Sequence, residues 1–464
     1  MNFKLRSLVA ATLAGSFLMG FGLNAMADST TDLVKALVAK GVLTEEEGSL
    51  LNKGHEGEVA TQEKAMKKSS KLSISDAIDK ATVYGDIRVR AESRSGDDAT
   101  TGVSEDRTRG RYKLTLGVKT EAGDFYSDLA LAMGTSGRSD NATFAGGGTS
   151  TSGATINGAN NKEAVFIKRA MVGWHATDWL AIEAGRINNP LYTTSMVWDG
   201  DLTFEGLAEM AKFKAGSADV FLTAVQSQYI GDRKYYSNGT NNRATNEVLA
   251  FQAGATFPIT DAVKGKAAIT YTTYGSGGAT TDFNPTVLGS TNTATNNLNT
   301  LEIPAEINFK MAGNLGVKVF GDYAVNLDGN ARYDAAVIAS GSNAAVIAAG
   351  KDDQAWLLGA ELASKAGKHA QKGDWSAKLW YQEVGAYSLD QNAVDSDFMD
   401  SRVNMKGVIL KTGYDLRDNV VLNFSAGHGS RKNNGLIAAG TASDISIANL
   451  NSFDLYQLDV TYKF

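Results

Sequence analysis

The chain has 464 residues with 45 basic and 51 acidic side chains, a net charge of −6, 49 glycines, 16 tyrosines, 18 phenylalanines, 4 prolines and no cysteine. Without cysteine there is no disulfide scaffold, no thiolate metal site, no haem attachment through C-x-x-C-H and no cysteine nucleophile. The acidic balance argues against nucleic-acid partners. A hydrophobic fraction of 43% lies below the usual globular share, as expected where half of each strand faces water.

Lys4 and Arg6, the apolar run Leu8 to Leu23 and the small-residue site Ala25-Met26-Ala27 predict a secretory signal over residues 1–27, with Asp28 as the mature start. The apolar run falls short of the ~20 residues a spanning helix needs, so it is not an anchor. Losing Lys4 and Arg6 takes the basic count to 43 against 51 acids and the net charge to −8. Residues 28–80 read as a small periplasmic helical hairpin and linker. Leu33, Val34, Leu37 and Val38 form one stripe ended by Gly41, and Thr44-Glu-Glu-Glu47 opens a second short helix toward Leu50 and Leu51. The spacing Ile74 to Ile78 predicts a further helical turn.

From Val83 onward the pattern changes to alternating segments of about ten to fourteen residues, joined by short and long connectors in turn. Short turns are expected at 121–124, 176–178, 215–216, 258–261, 312–314, 365–373 and 416–418. Long loops are expected at 96–106, 135–162, 188–205, 231–245, 275–299, 328–352, 386–401 and 431–451. Seven turns and eight loops join about sixteen strands, an even number with both ends on the short-turn side. Pro304, inside a strand where it donates no ladder bond, predicts a bulge or a nearby strand start. The last segment places Tyr456, Leu458, Val460, Tyr462 and Phe464 on one face and Gln457, Asp459, Thr461 and Lys463 on the other. An aromatic-ended apolar face of this kind predicts a strand between lipid and water. The fold class is all-β: a transmembrane antiparallel β-barrel of about 16 strands over residues 81–464, with a short N-terminal periplasmic helical segment.

Several segments resemble the bacterial putative porin family: Tyr84-Gly-Asp-Ile-Arg-Val-Arg90, the basic strand Arg107 to Lys113, Gly185-Arg-Ile-Asn-Asn-Pro190 with Val197-Trp-Asp-Gly-Asp-Leu202, and Gly373-Asp-Trp375 with Tyr381-Gln-Glu383. Ser396-Asp397-Phe398 and Lys411-Thr-Gly-Tyr414 with Asp418-Asn419 extend the likeness. The resemblance implies an outer-membrane pore of a Gram-negative bacterium, inserted by the β-barrel assembly machinery, which reads the terminal aromatics Tyr462 and Phe464. Its partners would be outer-membrane lipid and, by analogy with other sixteen-strand porins, further copies of the chain in a trimer.

In the first strand Thr82, Tyr84, Asp86, Arg88, Arg90, Glu92 and Arg94 share one face, opposite Val83, Gly85, Ile87, Val89 and Ala91. An arginine facing lipid at the midplane costs roughly 2 to 4 kcal/mol, so the charged face points inward. Arg107, Arg109, Arg111 and Lys113 continue this wall on the next strand. The seven cations either line the pore as a charged ladder or pair with Asp86 and Glu92 and stiffen the wall. The loop 188–205 carries Tyr192, Met196, Trp198 and the acids Asp199, Asp201 and Glu205, bulky residues that need burial, so it is the candidate constriction. The alternative is packing outward on a neighbouring subunit. An acidic loop facing a cationic wall would set a transverse field. His55, His175, His369 and His428 are too scattered for a hydrolase, and the pairs Asp97-Asp98 and Asp352-Asp353 fall short of a calcium ligand set. No enzyme activity, cofactor or metal is expected. The reading is a porin for small hydrophilic solutes or ions; the rivals are a surface structural or adhesive barrel without an open pore and a substrate-specific channel.

Overall fold

The computed structural model describes residues 75–464 apart from 135–138, 145–162, 238–239, 277–296, 368–370, 439–443 and 448, together with 44–46, 49 and 53. The chain divides into two units, residues 1–77 and 78–464. In the first, Glu45, Glu46, Ser49 and Lys53 are helical, where the second short helix is expected. The signal segment with Ala25 and Ala27, the first helix of the hairpin, His55 and His369 lie outside the described residues.

In the second unit the strands are β1 (Lys80–Asp98), β2 (Ser104–Ala122), β3 (Phe125–Gly134), the two-residue β4 (Ala142–Thr143), β5 (Ala164–Thr177), β6 (Leu180–Asn188), β7 (Thr203–Ala215) and β8 (Ala218–Ser237). They continue with β9 (Thr240–Thr260), β10 (Val263–Ser276), β11 (Asn299–Lys310), β12 (Gly316–Asn326), β13 (Gln354–Ala363), β14 (Trp375–Val384), β15 (Met405–Arg417), β16 (Val420–Arg431) and β17 (Leu450–Lys463). Each long strand pairs antiparallel with its neighbour in sequence, and β4 extends the edge of β2 beyond β3. β17 returns to β1 in register from Asp86↔Lys463 to Asp97↔Ser452, so sixteen long strands close without an edge. The period of two does the sorting. Along β1 the even positions Arg90, Glu92 and Arg94 are buried, while Val83, Ile87 and Val89 are about half exposed on the outside. Leu129, Leu358, Leu379 and Leu458 extend the apolar outer face around the barrel.

All seven short turns fall where the sequence places them, but two long loops do not. β1 and β2 pair up to Asp97↔Ser104, leaving only 99–103 as a turn in which the Asp98 carboxylate accepts the Thr100 and Thr101 N–H groups at 2.8 Å. β8 and β9 likewise pair up to Ser237↔Thr240. At the far ends of β1 and β2, over 93–98 and 104–109, both faces are polar, so the alternation that marks a strand disappears while its ladder continues. The connector after β12 is helical, with α1 (Gly329–Ala339) and α2 (Ala344–Ala349). Pro304 makes neither a bulge nor a strand start. β11 runs straight through it in constant register with β12, and only the β10 ladder is interrupted, between Ala267↔Ala305 and Thr270↔Glu302.

The largest apolar core lies inside the barrel. Leu191, Met196, Val197 and Trp198 from the connector after β6 pack with Leu389, Val394, Phe398 and Met399 from the connector after β14, and both press on inward side chains of the wall. The two connectors thus fold inward rather than over the rim.

Candidate functional site

On the inner face of β1, Arg88, Arg90, Glu92 and Arg94 stand directly across from Lys113, Arg111, Arg109 and Arg107 of β2. Three of these four rows set cation against cation, which destabilises a ladder unless counter-charge reaches it. Six carboxylates do. Arg90 donates to Asp459 of β17 through Nε at 2.6 Å and Nη2 at 2.9 Å, and through Nη1 to both oxygens of Asp397 at 3.2 Å. Arg94 donates to Glu92 at 3.0 Å, Asp397 at 3.0 Å and Asp400 at 3.3 Å. Arg109 bridges Glu92 at 2.7 Å and Asp444 at 2.5 Å. Arg107 reaches Asp444 at 3.3 Å, and Arg111 lies 3.6 Å from Glu92. Arg88 bonds Asn141 and lies 4.0 Å from Asp459, and Lys113 lies 3.6 Å from Asp140. Arg94 and Glu92 are almost wholly buried, at 1% and 2% exposure. Glu92 therefore partners the wall as one of the two sequence readings has it, whereas Asp86 makes no ion pair among the described residues.

Most counter-charge comes from loops. Asp397 and Asp400 lie in 385–404, and Asp444 lies between β16 and β17. Met399, Asp400 and Ser401 hold φ of 60°, 56° and 57°, a left-handed run uncommon for residues with a side chain, and it turns the Asp400 carboxylate to accept the Asp444 N–H at 2.7 Å and the Ile445 N–H at 3.1 Å. Burial alone would raise Asp397, but the Arg90 and Arg94 guanidiniums hold it well below the usual carboxylate range. Asp444 is held low in the same way, chiefly by the Arg109 hydrogen bond and Arg94. Asp400 is pushed up to about 6 by burial, against the pull of Arg94 and Arg402.

The connector after β6 crosses the interior. Tyr192 N–H donates to the Gln252 side chain of β9 at 2.8 Å, Thr193 donates to Glu302 of β11 at 2.5 Å and Thr194 to Asp322 of β12 at 2.5 Å. Asp199 then joins the two inward connectors. Its N–H donates to the Ala393 carbonyl at 2.6 Å, and its carboxylate accepts the Ser396 N–H and the Asp201 N–H, each at 2.9 Å. Trp198 is buried edge-on against Phe204, with ring centroids 5.0 Å apart. Burial, then the nearby Asp140, raises the Asp201 carboxyl, while Lys113 and Lys168 pull it down. Glu205 is a correction: it belongs to β7, one residue past inward Phe204, so alternation turns it outward, where it pairs with Arg186.

A second inner wall was missed by sequence reasoning. Lys318 of β12, Glu361 of β13, Lys378 of β14 and Lys411 of β15 stand in one cross-strand row. Their parity with buried Phe320, Leu357, Trp380 and Ile409 was the available signal. The sequence's other candidates are structural: the Asp97 carboxylate accepts Asn451 at 2.9 Å, Asp352 pairs with Lys432 at 2.6 Å and Asp353 with Lys351 at 3.1 Å. His175 packs 4.8 Å from Tyr126, and His428 lies 2.8 Å from Asp454, exposed. Among the described residues no group of three or more His, Asp or Glu is arranged to hold a metal ion.

A family model described as putative porin matches residues 86–300 and 294–428. No curated protein matches the chain. Among solved structures, the high-pH structure of Pseudomonas putida OprB is similar at 10% identity and a TM-score of 0.46, over 83% of this chain and 94% of that one. The outer membrane channel DcaP of Acinetobacter baumannii is similar at 14% identity and 0.44, over 84% and 99%. Salmonella typhi OmpF in complex with daunomycin is similar at 11% identity and 0.43, over 84% and 99%.

Proposed function

The chain belongs to the putative porin family, an outer-membrane channel family of Gram-negative bacteria, and from that premise we propose how this porin passes and restricts solutes. The observation that carries the reading is the closed sixteen-strand barrel, apolar outside and charged inside, a size that leaves an aqueous lumen. Small hydrophilic solutes or ions cross by passive diffusion through the space between the walls and the two inward connectors. Asp199, Asp201 and Trp198 narrow that space from one connector, and Asp395 and Asp397 from the other. The arginine wall of Arg88, Arg90, Arg94, Arg107, Arg109, Arg111 and Lys113, with Glu92, lines one side and is braced by ion pairs. Asp86 faces the lumen nearer the short turns.

Conductance of the refolded protein in a planar bilayer tests this. Stepwise openings are expected, and deletion of residues 191–200 should enlarge each step, because the connector spans the interior. A folded barrel without conductance would return the reading to a structural or adhesive surface protein. Saturable block by a single solute would favour a substrate-specific channel. We also propose a homo-oligomer of three copies. Glu209 and Gln226, 3.4 Å apart, face outward on β7 and β8, and Glu209 Oε2 has no partner among the described residues. Lipid disfavours a carboxylate there, which favours cover by another subunit.

Orientation follows from the hairpin before β1 being periplasmic. Epitope tags at Gly146, Asn292 and Asn343 should be bound by antibody on intact cells, and tags at Gly123, Asn314 and Asp418 should not. Labelling of both sets would refute the orientation.

A further inference from the structure

The two inner walls differ in how their charge is compensated. On the arginine wall every one of the seven cations has a carboxylate within 4.0 Å. On the wall from β10 to β15, Lys318 pairs with Glu361 at 2.9 Å, but Lys266, Lys378 and Lys411 have no carboxylate within that distance among the described residues. These three are held instead by aromatic faces. Lys378 Nζ lies 4.3 Å from the Phe320 ring centroid and 5.0 Å from that of Trp380, Lys411 Nζ lies 5.6 Å from Trp380, and Lys266 Nζ lies 3.7 Å from Tyr192 of the inward connector.

A ring face steadies an ammonium from one side and accepts no full hydrogen bond, so its N–H donors stay available to a solute. Lys378 stands between Glu361 of β13, already paired with Lys318, and Lys411 of β15, and the two lysines, about 5 Å apart along the ladder, are like charges that repel in an empty site. Anything negative that settles between them relieves that repulsion. A cavity of about 620 Å³ at the short-turn end of the same wall, with five lysines in its lining, Lys264, Lys266 and Lys318 among them, and three carboxylates, Asp261, Glu306 and Glu361, provides room beside it. Carboxylates there are outnumbered by lysines.

We propose that this lysine wall, rather than the arginine wall, is the solute-selecting surface of the channel, and that it takes small oxyanions, carboxylates or phosphates, with two negative charges preferred to one. The proposal rests on the pore reading. The arginines, locked to fixed carboxylates, hold the inward loops; the lysines, backed by rings and with acids nearby but none in direct contact, meet the solute.

The test uses the full refolded protein in a planar bilayer under a tenfold potassium chloride gradient, then with inorganic phosphate or malonate added. The wild type should prefer chloride to potassium, and both probes should lower its chloride current saturably; block by one alone would assign the site to phosphates or to carboxylates. The K378Q/K411Q pair should raise the half-blocking concentration by at least about tenfold, since each lost charged hydrogen bond is worth more than one decade. The K378R/K411R pair should keep the block. A conducting K378Q/K411Q channel with unchanged selectivity and block would overturn the proposal. So would a wild-type channel that prefers potassium or ignores both probes, and this measurement decides the matter even where a variant does not assemble. Wild-type protein without any conductance would overturn the pore reading itself.

Discussion

Glu92→Leu is expected to abolish or strongly destabilise the folded barrel, with the compact band on an unheated gel lost or converted at a much lower temperature. Glu92 is the one carboxylate that the wall itself supplies between four arginines: Arg94 and Arg109 donate to it at 3.0 and 2.7 Å, and Arg90 and Arg111 lie 3.5 and 3.6 Å away. Gln457 of β17 adds a fifth contact at 2.9 Å. Removing one partner of a buried ion pair costs about 3 to 5 kcal/mol, because the other charge is left dry and uncompensated. Here several guanidiniums lose their nearest anion at once. Glu92→Gln keeps an acceptor but not the charge, so it should fall between wild type and leucine. A leucine variant with an unchanged conversion temperature would mean that Asp397, Asp400, Asp444 and Asp459 suffice, and that the wall does not depend on its central acid.

The same cluster marks how far sequence reasoning reached. Alternation alone placed Arg88, Arg90 and Arg94 on the inner face, because the price of charge in lipid leaves only one side for them. It could not supply Asp459, 369 residues from Arg90, or Asp397, 307 residues away, since a period of two says which face a residue takes and nothing about which distant loop meets it. The loop 188–205 was found by its bulky side chains, and most of them are buried as that argument requires. Its partner at 385–404 carries the same signal in Tyr387, Leu389, Val394, Phe398 and Met399, all buried. A loop ending at 205 starts β7 three residues late, since the strand begins at Thr203; counted from inward Phe204, parity alone turns Glu205 outward. The lysine row was equally legible, since Lys378, Trp380 and Gln382 alternate as cleanly as the arginines. Single lysines on separate strands make a weaker pattern than three arginines in one.

Replacing Phe464 by Asp, or deleting it, should leave most of the protein unassembled in the periplasm, with little heat-modifiable barrel in the outer membrane. Phe464 does two jobs at the seam. Its backbone continues the closing ladder, accepting the Gly85 N–H at 2.8 Å and donating to the Gly85 carbonyl at 3.0 Å. Its ring lies over Gly85, so close that a Cβ added there would come within 2.6 Å of it, and 6.1 Å from the Tyr462 ring on the same outward face. The aromatic end of β17 is thus both the outward apolar face that the assembly machinery is proposed to read and the last rung that joins β17 to β1. These roles separate by experiment. Gly85→Val leaves the terminal aromatics in place while forcing the Phe464 ring and the Thr115 carbonyl of β2 away from β1, so it should permit delivery to the outer membrane yet weaken both ladders of β1, lowering the temperature at which the folded band converts. Phe464→Asp should fail earlier, before insertion. If Phe464→Asp instead yields normal amounts of folded barrel that merely melts sooner, the residue serves closure alone, and recognition of the chain lies elsewhere in β17.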